Sequence, residues 1–133
     1  MGRRLPPGLP EPGLSVSDES GTFDRAEFAR ELDGPPNDNV GTKLLFQNNR
    51  VKVWEIALRP GERAPFHRHT HPYFYVCVDP GRVRTRFPNG YYVEGDEEVG
   101  GVAFMEHSTD NPGIHDLENV GDTTIRYTTV ELL

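Results

Sequence analysis

The sequence is poor in cysteine and has no long hydrophobic run. Cys77 is the single cysteine among 133 residues, so no disulfide can form within the chain, which is typical of a reducing compartment. No apolar stretch approaches the roughly 18 residues that a membrane-spanning helix needs. We therefore expect a cytoplasmic protein in which Cys77, within an apolar segment, is buried as a small hydrophobic side chain.

Positive charge is also scarce. The chain carries 14 lysines and arginines against 21 aspartates and glutamates, which gives a net charge of −7. Nucleic acids and anionic membrane surfaces attract basic proteins, because both carry dense negative charge. The composition therefore argues against both classes of partner.

The N-terminal part of the chain has little regular pattern. Residues 1–21 contain four prolines among glycines and serines, a composition that favours an extended arm over a folded unit. The segment Phe23–Leu32 has the features of a short helix, with Thr22 as its candidate N-cap. We therefore predict an arm and a short helix in residues 1–41, followed by a second unit in residues 42–133.

Signals for β-strands dominate the second unit. Short segments rich in β-branched and aromatic residues alternate with turn sequences such as Pro88-Asn89-Gly90. The strands predicted in this way are Thr42–Phe46, Val51–Leu58, Tyr73–Val78, Val83–Phe87, Tyr91–Glu94, Gly101–Glu106 and Thr124–Leu132. Asp96, Glu97 and Glu98 fall in an acidic loop that is expected to be solvated. Many short strands without a later helix predict an all-β sandwich or barrel.

The residues with metal-binding chemistry are concentrated between Pro60 and Val78. His67, His69 and His71 occupy alternate positions there, shortly after a Pro-Gly turn. Alternate residues of a strand face the same side, so a strand here would direct three imidazoles to one face. Neutral imidazole is the commonest protein ligand of first-row transition metals. A metal site is therefore the first hypothesis.

The spacing of these residues resembles the cupin superfamily. Gly61, five residues, then His67-Arg68-His69 and a later Gly81 resemble the first cupin signature. His115 with Asn119 four positions on resembles the core of the second signature, and the resemblance covers roughly residues 42–133. It implies a double-stranded β-helix (jelly-roll) barrel, commonly dimeric, with a divalent metal at its centre. The implied metal ligands are His67, His69 and His115.

One ligand that the resemblance implies is missing. Cupins place a glutamate four or five residues after the second histidine, where this chain has Tyr73 and Phe74, and the spacing to Gly81 favours Phe74. The fourth position is then left to water, to substrate or to His71 as a candidate ligand. Three neutral histidines suit iron, zinc, nickel or copper better than magnesium or calcium, and iron is our first choice. We expect Phe74 and Tyr73 to line the pocket, and His107 to lie at the surface or the rim.

Three functions are compatible with such a site. The resemblance implies a metalloenzyme acting on a small metabolite, foremost a three-histidine non-haem iron dioxygenase. A bound cation would equally polarise a carbonyl or acidify a water, so a metal-dependent isomerase or lyase is the alternative. A non-enzymatic cupin that binds a small ligand is the third. Because Tyr73–Val78 is apolar on both faces, we also expect a homodimer or the N-terminal arm to cover its outer side.

Overall fold

The computed structural model describes residues 18–133, which form two five-stranded sheets and a short helical segment. The strands are β1 (Glu19–Thr22), β2 (Lys43–Gln47), β3 (Val51–Leu58), β4 (Arg63–His69), β5 (Tyr73–Asp79), β6 (Gly81–Arg86), β7 (Tyr91–Glu97), β8 (Val102–Met105), β9 (Gly113–Asn119) and β10 (Ile125–Leu132). The first sheet has the strand order β1-β7-β6-β9-β4 and the second the order β2-β3-β10-β5-β8, and neighbouring strands are antiparallel. The all-β prediction is confirmed.

The core lies between the two sheets and follows from side-chain alternation. Along β3, Trp54, Ile56 and Leu58 are buried, whereas the residues between them are more exposed. The core cluster consists of Ile56, Leu58, Ala64, Cys77, Val83, Ile125 and Tyr127. Each fully buried aliphatic or aromatic side chain stabilises the fold by roughly 1.5–3 kcal/mol. Cys77 belongs to this cluster, as its apolar surroundings in the sequence predicted.

Strand β10 lies in the middle of the second sheet. It pairs with β3 over Ile125–Leu132 and with β5 on its other side. A buried hydrogen bond also joins β3 to β10, because Trp54 Nε1 donates to Glu131 Oε1 at 2.7 Å. The last strand of the barrel therefore holds together strands that come from the first half of the barrel sequence.

The helical segment is shorter than predicted. A 3₁₀ turn over Arg25–Phe28 leads into one α-helical turn, α1 (Ala29–Leu32). Asp24 caps the segment in place of Thr22, since its Oδ1 accepts from the backbone N–H of Ala26 at 3.0 Å. No helix within residues 18–133 has the length and hydrophobicity to cross a membrane.

The helical segment is fixed to the strands that carry the histidines. Glu31 of α1 accepts hydrogen bonds from the Arg63 guanidinium and from the backbone N–H of Phe66, both on β4. Arg63 also pairs with Asp116 of β9 at 2.7 Å, and Arg86 pairs with the same carboxylate at 3.0 Å. This network ties β4 to β9 and so sets the positions of the histidines on both strands.

Two strands were not predicted from the sequence. The arm was expected to extend to residue 21, but Glu19–Thr22 pairs with β7 as an edge strand. The rest of the predicted arm, residues 1–17, lies outside the described residues. The loop expected before Thr124 contains β9, whose buried positions Asp116 and Asn119 are polar. Polar core positions give no hydrophobic alternation, so the pattern does not indicate a strand.

Candidate metal centre

Neighbouring strands bring three predicted ligands together inside the barrel. His67 and His69 lie on β4, and His115 lies directly opposite His67 on β9. The ligand atoms of the three imidazoles all lie within 4.8 Å of one another. His69 Nε2 and His115 Nε2 are 3.0 Å apart. Antiparallel pairing thus supplies a three-nitrogen cluster from two strands that are far apart in the sequence.

The three imidazoles are in the form that binds metals. The side chains of His67 and His69 are 3% and 2% exposed. Burial lowers the pKa of His67 to about 4, because the charged ring loses its water. Burial, followed by repulsion from neighbouring imidazoles, lowers the pKa values of His69 and His115 well below 6.5. All three are therefore neutral at physiological pH and have a lone pair available.

Neighbouring groups fix two of the rings. His67 Nδ1 lies 2.9 Å from the carbonyl oxygen of Pro65. A carbonyl only accepts, so Nδ1 carries the proton and Nε2 is left as the ligand atom. His69 stacks on Tyr73 with ring centroids 3.9 Å apart and an interplanar angle of 11°. Ring orientation is thus set by the protein itself.

The donor set fits a divalent transition metal. Among residues 18–133, the cluster consists of three histidines, without an aspartate, a glutamate or a cysteine. Three neutral nitrogens suit iron, zinc, nickel or copper, whereas magnesium and calcium require oxygen ligands. The residues present therefore fit the predicted cofactor class, and they do not determine which of the four metals is bound.

The expected pocket residues Tyr73 and Phe74 have different positions. Tyr73 is buried beside His69 and lines the cavity. Phe74 does not line it, because it pairs with the exposed Phe104 on the outer face of the second sheet. Successive residues of β5 alternate between the two faces, so only one of them can face the histidines. The aromatic residue next to the cluster is Tyr73, not Phe74 as the spacing favoured.

The other two histidines of this region lie outside the cluster. His71 lines an outer depression next to Pro72 and does not join the other three, so the candidate fourth ligand is not supported. His107 lies at the rim, with its ring centroid 6.2 Å from that of His69. A Cβ at position 113 would collide with the His107 ring, so glycine at this position makes room for it.

The cluster forms part of the wall of a cavity between the sheets. The cavity has a volume of about 60 Å³. One water needs roughly 10–15 Å³ on this measure, so about four to six small groups can be accommodated. None of the described residues that line it is a lysine or an arginine. Besides the histidines, the walls include Tyr75, Thr85, Glu97, Met105, Leu117 and Tyr127.

Glu97 is the cavity residue that sequence reasoning missed. It was assigned to a solvated loop, but it is the last residue of β7 and is 4% exposed. The signal is the alternation Val93, Gly95, Glu97, since all three face inwards while Asp96 is exposed. A strand extended by three residues would have placed Glu97 on the core face.

Comparisons with solved structures identify the fold. A cupin domain from Bordetella pertussis Tohama I superposes with a TM-score of 0.61 and 24% identity, covering 74% of this chain and 97% of that one. A double-stranded β-helix protein from Klebsiella pneumoniae gives a TM-score of 0.54 at 17% identity over 83% and 82% of the two chains. An RmlC-like cupin family protein from Methanocaldococcus jannaschii gives a TM-score of 0.53 at 14% identity, covering 68% of this chain and 76% of that one.

Sequence comparisons do not add to this result. No protein-family model and no curated protein matches the chain. The structural likeness and the predicted histidine pattern nevertheless lead to the same fold. The chain therefore has the double-stranded β-helix fold of the cupin superfamily.

Proposed function

We propose that this protein is a metal-dependent enzyme acting on a small metabolite, and foremost a three-histidine non-haem iron dioxygenase. The supporting observation is the cluster of His67, His69 and His115, neutral and within 4.8 Å of one another, in the wall of a cavity between the sheets. A site of this type leaves positions open for substrate, because the protein supplies only three ligands.

The chain's own residues have separate roles in this proposal. The three histidines would hold the metal, which supplies Lewis acidity or, as iron, redox chemistry with dioxygen. The Pro65 carbonyl orients His67, and the Tyr73 ring orients His69. Ile56, Met105 and Leu117 give the cavity apolar walls that exclude bulk water from the reacting groups. The small volume restricts the substrate to a few non-hydrogen atoms.

One observation favours the alternative of a metal-dependent isomerase or lyase. Glu97 lies in the same cavity, and burial raises the pKa of its carboxyl group to about 7. A carboxyl group with such a pKa is suited to accept or donate a proton at neutral pH. Oxygen consumption separates the two reactions: substrate-dependent oxygen uptake supports the dioxygenase, and turnover without oxygen supports the alternative. The small volume of the cavity, and the absence of arginine among the described residues that line it, do not favour the non-enzymatic module.

The primary test is the metal content of purified protein. We expect about one divalent metal ion per chain in the wild type and in His71→Ala, which removes a histidine outside the cluster. His67→Ala removes one of three ligands and should lose most of the metal. Elemental analysis measures all three proteins. If the wild type binds no stoichiometric metal even after anaerobic reconstitution with iron, zinc, nickel or copper, the proposal is wrong.

The predicted partners and location belong to this proposal as well. The cavity supports the proposal of a small-molecule substrate, and an apolar row on the outer face of the second sheet, where Phe46, Phe74 and Phe104 lie, supports the proposal of a homodimer. The absence of nucleic-acid and membrane partners stays a prediction from the net charge of −7. The cytoplasmic location stays a prediction from the single cysteine.

A further inference from the structure

Glu97 is a buried carboxyl group that the proposed metal chemistry does not require. It pairs with Gly81 at the start of β6, whereas the histidine cluster lies towards the other end of the barrel interior, where Tyr73 stacks on His69. One oxygen of the carboxyl group, Oε2, is buried and has no hydrogen-bond partner. A buried carboxylate oxygen without a partner costs free energy in the unbound protein. A bound ligand can offset this cost.

The surroundings of Glu97 consist of hydroxyl groups, aromatic rings and another acid. The hydroxyls of Tyr75 and Tyr127 hydrogen bond to the carboxyl group, which favours its ionised form. The nearby carboxyl group of Asp18 disfavours the ionised form of Glu97, because two negative charges repel each other. Cys77 also faces Glu97, and it is a neutral thiol because burial raises its pKa to about 11. No cationic side chain of the described residues lines this cavity.

The arrangement is complementary to a cation. The rings of Tyr75 and Tyr127 meet edge to face, with centroids 5.2 Å apart and an interplanar angle of 87°. Carboxylate and hydroxyl oxygens accept the N–H groups of an ammonium ion, and Oε2 of Glu97 is buried without a hydrogen-bond partner. An anionic group would instead be repelled by Glu97, and none of the described residues that line the cavity is a lysine or an arginine. A neutral group would gain a hydrogen bond but no ionic attraction.

We propose that Glu97, Tyr75 and Tyr127 form a binding site for the ammonium group of a small aliphatic amine. Combined with the proposed function, on which this step rests, the substrate class is a primary amine whose other end reaches the histidine cluster. The cavity of about 60 Å³ limits it to roughly four to six non-hydrogen atoms. The histidines would act on one end of such a molecule while Glu97 fixes the other.

The test uses two probes of equal size and different charge. n-Propylammonium and n-propanol have the same number of non-hydrogen atoms, and only the first is a cation at neutral pH. Binding to the full chain as purified is measured by NMR titration, followed at the Tyr75 and Tyr127 resonances. We expect n-propylammonium to bind at least roughly tenfold more tightly than n-propanol, because a charged hydrogen bond replaces a neutral one.

A pair of variants then locates the site. Glu97→Gln keeps the shape of the side chain and removes its charge, and it should weaken n-propylammonium binding by roughly tenfold or more without affecting n-propanol. Glu98→Gln, which changes the exposed neighbour, should bind both probes like the wild type. Equal affinity for the two probes in the wild type overturns the inference, and so does unchanged n-propylammonium binding in Glu97→Gln.

The outcome is independent of the metal. The n-propylammonium cation has no lone pair, so its binding to the Glu97 carboxylate requires no metal, and the loss of that binding in Glu97→Gln reports on Glu97. The metal content of the same samples is measured in parallel. Protein that binds the cation through Glu97 but no metal contradicts the proposed function and leaves the amine site intact. Protein that binds metal but does not distinguish the probes contradicts the amine site only.

Discussion

Glu97 makes the stability of the protein depend on pH. Burial raises the pKa of its carboxyl group from 4.5 to about 7 in the folded state. As the pH rises from 4.5 to about 7, the unfolded chain loses this proton while the folded protein retains it, so stability falls. Above about pH 7 the folded protein bears the full free-energy cost of burying the ionised carboxylate. Each pKa unit corresponds to about 1.4 kcal/mol, so the free-energy cost is on the order of 3 kcal/mol.

Glu97→Gln should therefore stabilise the protein at alkaline pH. We expect its free energy of unfolding to exceed that of the wild type by up to about 3 kcal/mol at about pH 8, and by little at about pH 4. Urea denaturation at both pH values measures this. The buried histidines contribute the opposite slope, since their depressed pKa values cost stability below pH 6.5, but they do so equally in both proteins. If the free energy of unfolding of Glu97→Gln changed with pH as it does in the wild type, the prediction would be wrong.

Single residues also show which parts of the site could be predicted from the sequence. The resemblance to the cupin signatures predicted that His67, His69 and His115 meet, whereas the alternation of histidines alone indicated His67, His69 and His71. The spacing to Gly81 favoured Phe74 over Tyr73 for the position of the missing glutamate, and both residues were expected in the pocket, because counting residues does not give the phase of a strand that is apolar on both faces. Glu97 was missed because a charged side chain in an acidic segment normally faces water. The cavity around it exists only after two sheets pack.

At the scale of elements, Asp116 connects the strands that present the histidines. Its side chain has no exposed surface and accepts from the Arg63 guanidinium, the Arg86 guanidinium and the Arg86 backbone N–H. Arg86 also pairs with Glu118 at 2.7 Å. The arginines of this region thus bind acids on the outside of β4, β6 and β9 and do not enter the cavity.

Asp116→Ala should destabilise the protein by roughly 3–5 kcal/mol, because two partly buried guanidinium groups lose a shared carboxylate. Asp38→Ala is the matched control, since Asp38 pairs with Arg68 at 2.9 Å on an exposed surface. An exposed ion pair contributes about 0–1 kcal/mol, so the control should be nearly neutral. Chemical denaturation of both variants at one pH measures the difference. Equal losses would show that the Asp116 network does not hold the strands.

The elements themselves were predicted unevenly, for a physical reason. The bounds of β3 agree with the predicted Val51–Leu58, because an alternating hydrophobic pattern sits between clear turn residues. Strands β1 and β9 were missed. β1 is a four-residue edge strand with no buried residue. The buried residues of β9 are polar: Asp116 on the outer face, whose partners lie on β4 and β6, and Asn119 on the inner face, which donates to the Leu58 carbonyl of β3. Partners distant in sequence leave no local signal.

At the scale of the whole molecule, the outer face of the second sheet carries an apolar row. The paired positions Phe46, Val53, Val130, Phe74 and Phe104 form a row across all five of its strands. The side chains at its two ends, Phe46 and Phe104, are 53% and 52% exposed. An apolar row of this extent on a sheet face is typical of an interface between protein chains.

Phe104→Glu should therefore convert the proposed homodimer into a monomer. Each dimer would bury two unpaired carboxylates, so the dissociation constant should rise by at least about a hundredfold. Sedimentation velocity at micromolar concentrations measures the state of each protein. Ile114→Glu, an exposed apolar position on the other sheet, should leave the dimer unchanged. A monomeric wild type, or a dimeric Phe104→Glu variant, would contradict the prediction.

The central position of β10 also governs when the barrel can form during synthesis. The hydrogen bond between Trp54 and Glu131 joins residues 77 positions apart, and the β3–β10 ladder runs beside it. A nascent chain that ends before Ile125 has β3 and β5 without the strand that separates them. Pairings over such distances fold slowly, because loop closure precedes any gain in contacts. The ribosome must therefore release residues 125–132 before the cavity closes, and a divalent metal can be enclosed by the finished barrel only after that point.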